Sequence, residues 1–324
     1  MGMKKCLTRS GRSQMSFHSE TAMTGDEDST TTILFALGAN AVIAMAKGIA
    51  AWITGSTAML AEAVHSIADC CNQGLLLLGM NRSARPPDAE YPLGHGRAIY
   101  FWSFIVAVML FSMGGMFSIY EGIRKLDGSR PLEDPWIAIS VLLLSLVAES
   151  VSLWKALTQV NALRGTQSLW RWFRETRRSE LLVVVGEDVA ATLGLSLALL
   201  AVGASTLTGN VVYDALGSLA IGVLLLVVAV FIGIEVKALL VGQSADPALQ
   251  EEIVRFLTAR EEIDDVLNLI TLQNGADVVV AIKARMTEGA SAPALIGAIS
   301  RCKRALHAAF PQVRWLVLEP VLEE

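Results

Sequence analysis

His65 and Asp69 lie four residues apart in the run Ser-Thr-Ala-Met-Leu-Ala-Glu-Ala-Val-His-Ser-Ile-Ala-Asp-Cys-Cys, from Ser56 to Cys71, inside a segment otherwise apolar enough to cross a bilayer. On a helix that spacing stacks the imidazole and the carboxylate on one face, one turn apart, close enough to share an ion. An ionisable side chain at membrane depth costs at least ~2.5 kcal/mol on insertion scales, so a pair on one face requires a reason. The chemistry implied is a divalent cation held within the membrane by a nitrogen and an oxygen donor. Further polar residues interrupt other apolar stretches: Asn40 and Lys47 before this run, then Glu149, then Glu187 and Asp188, then Asp214.

The elements that must position these groups follow from hydropathy. The chain has 324 residues, 53% of them hydrophobic and 18% charged, with a mean hydropathy of +0.51. That is too apolar for a soluble protein and predicts a membrane protein. About six apolar spans come near the ~20 residues that a crossing helix needs. They run from about Thr32 to Ile53, Ser56 to Met80, Ala98 to Gly122, Trp136 to Leu157, Leu181 to Val202, and Tyr213 to Leu240. Residues 1–31 are polar, without the apolar core of a signal peptide, and read as a disordered cytoplasmic tail. A short mitochondrial targeting segment is the lesser reading of its basic, serine-containing start. Lysine and arginine collect in the tail, at Arg82, Arg85 and Arg97, and at Arg164, Arg171, Arg174, Arg177 and Arg178, which predicts cytoplasmic termini. Arg124, Lys125 and Arg130, offset by Asp127, Glu133 and Asp134, form the contrary cluster.

After Gly242 the composition changes. An amphipathic helix from Asp246 to Arg260, strands from Val266 to Leu272 and Asp277 to Met286 with Asn274-Gly275 as a hairpin signal, a helix from Ser291 to Phe310 and a strand from Val313 to Leu318 predict a small cytoplasmic α+β domain over 243–324. Helices on one face of an antiparallel sheet are the expected arrangement. The fold class is therefore a membrane α-helical bundle of six transmembrane helices over 32–242, followed by that domain.

A net charge of −5 and a pI near 5.5 argue against nucleic acid as a partner. Cys6, Cys70, Cys71 and Cys302 form neither a disulfide framework nor a CxxC metal spacing. Cys70 and Cys71 are off the His65 and Asp69 face by helical phase and read as packing.

From about Thr32 to its end the chain resembles the cation diffusion facilitator family of metal transporters, and most the branch of the mitochondrial zinc exporter. The resemblance is carried by Thr54-Gly55-Ser56, by Ala61-Glu62-Ala63-Val64-His65-Ser66 with Asp69, and by Pro87-Asp88 through Gly94-His95-Gly96-Arg97. Its narrower part rests on Cys71-Asn72-Gln73-Gly74-Leu75, Leu146-Val147-Ala148-Glu149, Gly186-Glu187-Asp188-Val189-Ala190-Ala191 and Val212-Tyr213-Asp214-Ala215-Leu216-Gly217-Ser218.

The resemblance implies a tetrahedral transport site with two ligands from the second span and two from the fifth. His65, Asp69 and Asp188 match it. Val184 stands where the fourth ligand belongs and cannot bind metal, which leaves that place to water or to Glu187. One imidazole and two carboxylates suit zinc and tolerate manganese, iron or cobalt. Such ligands exchange metal for protons, because each must be deprotonated to bind. The resemblance thus implies zinc export by proton antiport, by a homodimer in a lipid bilayer.

Other assignments stay open. Glu187 is a ligand, a proton carrier or a partner for Lys47. Glu149 reads as a partner for Asn40 more than as a ligand, and Asp214 as a helix cap. Asp88 and His95 match a second loop site whose third ligand place is taken by Tyr91, so that they bind metal or merely shape the turn. His307 reads as packing, and no metal cluster is expected in the C-terminal domain. Trp170, Trp172 and Phe173 with their arginines either line the inner leaflet or set topology by charge. An intramembrane metalloprotease is disfavoured because His65 lacks the adjacent glutamate of HExxH. A transport-inactive scaffold or metal-sensing regulator is the alternative that Val184 keeps alive. A bacterial inner membrane is the expected location, an organellar membrane the alternative.

Overall fold

The computed structural model describes residues 37–38, 40–127, 134–287 and 291–321. The N-terminal tail, the start of the first span, Arg130 and Glu133 lie outside the described residues. The membrane part comprises α1 (Asn40–Thr54), α2 (Thr57–Ser83), α3 (Ala98–Met109), a π-helical turn (Leu110–Met116), α4 (Phe117–Asp127), α5 (Pro135–Arg164), α6 (Leu169–Glu175), α7 (Ser179–Thr208) and α8 (Val212–Val241). The helices α3 and α4 continue through the π turn as one span. That span, α5, α7 and α8 are long and apolar enough to cross a membrane. Helix α2 has 27 residues, about 40 Å at the helical rise, but Glu62, His65 and Asp69 reduce its apolar character.

The helices begin and end where the local chemistry dictates. Ser56 caps α2 by accepting the Met59 N–H, and Gly55, with φ of +64°, supplies the backbone turn that separates α1 from α2. Helix α5 continues to Arg164, beyond the expected Leu157, because nothing between them breaks a helix. Small residues allow close helix approach: Gly222 of α8 lies against the backbone of Gly115 and Ile119. A π turn holding Gly114 and Gly115 widens the ladder at that crossing. Large apolar side chains on the outer faces, including Trp136, Leu144 and Trp154 of α5 and Leu200 and Leu207 of α7, are exposed as lipid requires.

The C-terminal part is α9 (Pro247–Thr258), β1 (Ile263–Asn274), β2 (Asp277–Met286), α10 (Ala292–Ala309) and β3 (Val313–Pro320). Asp246 caps α9 through the Ala248 N–H, with Pro247 in the first turn. Ile253, Leu257, Val280, Ile282, Cys302, Leu306 and Leu316 share one core between helices and sheet. The sheet corrects the expected pairing. Strand order is β1-β2-β3, with β1 and β2 antiparallel but β3 parallel to β2. An intervening helix, α10, carries the chain back to the starting end of β2, and such a crossover produces a parallel neighbour. The hairpin turn is Gly275-Ala276, since Asn274 still pairs with Asp277. Gly275 takes the positive φ, +67°.

Candidate metal centre

The polar face of α2 is built as the spacing predicts. Glu62, His65, Asp69 and Asn72 follow at steps of three and four, one above another. His65 is fully buried, with Nε2 3.6 Å from the Asp69 Oδ2. Both its ring nitrogens and Asp69 Oδ1 are buried without a hydrogen-bond partner.

Asp69 borders a cavity of about 40 Å³ together with Asn40 of α1, Ser66 and Gln73 of α2, Glu149 and Ser152 of α5, and Val184, Glu187, Asp188 and Ala191 of α7. Four acids thus meet at one polar chamber large enough for a few waters. Asp188 accepts from Ser152 Oγ at 3.3 Å. Glu187 accepts from the Asn72 side-chain N–H at 2.5 Å, so its partner is an amide and not Lys47, as one reading of the sequence had it. The two neighbours on α7 both reach the chamber despite their difference in helical phase. Among the described residues, no three His, Cys, Asp or Glu side chains are already closed around one point as a metal cage. His65 flanks the chamber through Asp69 and does not line it.

Lys47 pairs with Glu62. Its Nζ lies 3.4 Å from Glu62 Oε2, both side chains being fully buried, and donates to Ser66 Oγ at 2.7 Å. Glu62 is a residue that the sequence reading quoted without assigning it a role. Its signal was an unexplained acid one turn before His65 in an apolar span.

Asp214 is not a cap for its own helix. Its carboxylate accepts from Ser56 Oγ at 2.5 Å, from the Thr57 N–H at 2.8 Å, from Thr57 Oγ1 at 2.9 Å and from Lys125 Nζ at 3.0 Å. An acid on α8 therefore satisfies the Thr57 N–H and two hydroxyls at the start of α2, where the helix dipole favours it. Lys125, counted as a topology charge from sequence, is buried in this pair, and Arg124 is bound to Glu121 at 3.3 Å. The contrary basic cluster is thus in large part neutralised within the protein.

Outside the membrane, Asp88 and His95 are joined at 2.9 Å, and Tyr91 lies over the His95 ring at 4.4 Å between centroids. The Tyr91 N–H and the His95 ring hold Asp88 below the usual carboxylate range. His307 is engaged with the Val313 carbonyl at 2.8 Å. Cys70 and Cys71 face a groove with Ala44, Met45 and Ile49 of α1, away from the acids. Of the connecting aromatics, Trp172 is buried with Val160 and Val185, while Trp170 stacks on Phe231 at 5.6 Å.

A helical bundle with four carboxylic acids gathered in a chamber between α2, α5 and α7, followed by a small α/β domain, defines the class: an integral membrane protein with an acidic interior. Residues 33–241 match the model of the cation efflux transmembrane domain, and the chain belongs to that family. Its relatives include the proton-coupled zinc antiporter SLC30A9, mitochondrial, of Homo sapiens, 38% identical over 210 residues, a match covering 64% of this chain and 37% of that protein. Metal tolerance protein C4 of Arabidopsis thaliana is 32% identical over 74% of this chain and 53% of its own length. The cation-efflux pump FieF of Salmonella agona is 27% identical over 75% and 76%. The match thus spans little more than a third of the human antiporter.

Proposed function

We propose that the chain is a secondary transporter that exports zinc, or a related divalent ion, from the cytoplasm in exchange for protons. The observation that carries this is the convergence of Asp69, Glu149 and Asp188, from three different helices, on one chamber within the bundle. Carboxylates so placed bind a dication when deprotonated and release it when protonated, which couples the two fluxes. His65 enters the ligand set by a small approach of α2 to α7, since its ring nitrogens are free of competing bonds. Glu149 takes the ligand place that Val184 leaves empty of donors, and Glu187 holds α7 to Asn72. In this reading α1 and α2 complete six crossings with the four apolar spans, both ends of the chain are cytoplasmic, and the active unit is a homodimer. The names of the zinc antiporter and metal tolerance relatives support the choice of cargo.

The test is zinc accumulation in liposomes under a pH gradient, with His65→Ala and Asp188→Ala beside the parent chain. Accumulation by the parent and its loss in both variants is expected. Binding without accumulation by the parent would establish a scaffold or sensor instead. Localisation of a tagged full chain separates a bacterial inner membrane from the organelle named for the human relative.

A further inference from the structure

The Lys47 and Glu62 pair contributes nothing to the chamber, yet it is buried completely at the next turn of α2 beyond His65. At 3.4 Å it is looser than a tight charge-assisted bond, which runs ~2.7–2.9 Å. Glu62 Oε1 has no partner, and neither has either nitrogen of His65. Gly194 of α7 lets Oε1 lie close against that helix, where a Cβ would come within 2.6 Å of the oxygen. Unpartnered oxygen and nitrogen donors on neighbouring turns, beside an ammonium held more closely by the Ser66 hydroxyl than by its carboxylate, have the composition of a cation position whose occupant is part of the chain. The steps of three and four from Glu62 to His65 to Asp69 put that position in line with the chamber, on the side toward the N-terminus of α2.

We infer that Glu62 is the centre of a second position for the transported cation, served by His65 when that ring is not turned to the chamber, and that Lys47 is a tethered cation filling it whenever the ion does not. The inference rests on the reading of the chamber as the metal's path. An ammonium and a dication cannot share one carboxylate at this depth, because their repulsion is barely screened there. Entry of the ion from the Asp69 side therefore drives Lys47 off Glu62, and return of Lys47 sends the ion onward. The exchange moves one cation against another and transfers no proton.

The experiment is calorimetric titration of the purified full chain with zinc ions. K47M should bind one zinc more than the parent, and K47M/E62Q should return to the parent number. E62Q alone leaves the Lys47 ammonium without a counter-charge one turn from His65 and should weaken zinc binding roughly tenfold or more, with K47M/E62Q restoring it. If K47M is not recovered folded, the comparison of E62Q with the charge-neutral double variant decides alone, since exchanging both members of a buried pair is the tolerated change. Absence of an additional ion in folded K47M, or a double variant as weak as E62Q, overturns the tethered cation. D69N/D188N separates the two readings: undiminished zinc binding there overturns the chamber as the metal's path, whatever Lys47 does.

Discussion

The side-chain N–H of Asn274 donates to the Leu93 carbonyl across 2.8 Å, fastening the tip of the β1–β2 hairpin to the loop between α2 and α3. The Gly275 N–H donates to the Tyr100 hydroxyl at 2.9 Å beside it. Arg177 donates to the Ser244 carbonyl at 2.8 Å on the same side of the bundle. The loop that carries Asp88 and His95 is thereby part of the junction between the membrane helices and the C-terminal domain. The hairpin tip is joined to the end of that loop and to the first turn of α3 through Tyr100.

Gly96 is where that junction is tightest. A Cβ there would collide with the backbone of Asn274, which has no flexible end to move aside. Gly96→Ala should lift the hairpin from the loop at a cost of ~1–3 kcal/mol. Faster amide exchange at Gly275 in the variant, with the rest of the sheet unchanged, is the expected reading.

Asp214 carries three hydrogen bonds from the start of α2 besides its pair with Lys125. Asp214→Ala removes the counter-charge of the Lys125 ammonium and the acceptor of the Thr57 N–H and should destabilise the bundle by ~3–5 kcal/mol. Thermal unfolding in detergent measures this. Replacing Lys125 by Met in the same chain should recover part of the loss, because no buried charge then faces the place of the missing carboxylate.

Gly222 faces Gly115 O at 2.9 Å and the Ile119 N at 2.9 Å from where its Cβ would stand. Gly222→Leu should force the α3–α4 span away from α8 and lower the midpoint of thermal unfolding. A midpoint equal to the parent's would show that the two helices do not touch through this glycine.

Val184 lines the chamber with four acids, Glu187 and Asp188 on its own helix and Asp69 and Glu149 on α2 and α5. Val184→Asp adds a donor four residues before Asp188 on the same helical face. Zinc should bind roughly tenfold tighter or more and leave more slowly, so that uptake into liposomes falls while affinity rises.

Glu262 accepts from Arg260 at 3.1 Å and from Arg301 at 3.0 Å. Partial burial opposes its charge, but these two guanidinium bonds outweigh it and hold the carboxyl below the usual glutamate range. A depressed pKa in the folded domain stabilises it above the unfolded value, ~4.3, and that contribution is lost as pH falls through the folded value. Glu262→Gln should therefore lower the unfolding midpoint at pH 7, and the difference from the parent should shrink as the solution is taken below pH ~4.

Periodicity and local chemistry determined much of this protein from sequence. The long apolar runs placed the starts of the four long apolar helices closely, while α5 and α7 run on past the expected Leu157 and Val202. The steps between Glu62, His65, Asp69 and Asn72 put them on one face, and Asp246-Pro247 opened α9 where expected. These are properties of one helix or turn, and the spacing of the chain encodes them. The partners of the buried charges were not legible in the same way. Lys47 chose Glu62 over Glu187, Glu187 chose Asn72 at a separation of 115 residues, and Asp214 reached 157 residues back to Thr57. The parallel placement of β3 likewise depended on how α10 crosses the sheet. Such pairings are set by the rotation of each helix about its axis and the distance at which two helices pack. Those quantities arise only when glycines such as Gly194 and Gly222 meet their neighbours, and so the tertiary structure alone decided which acids face the chamber and which hold the bundle together.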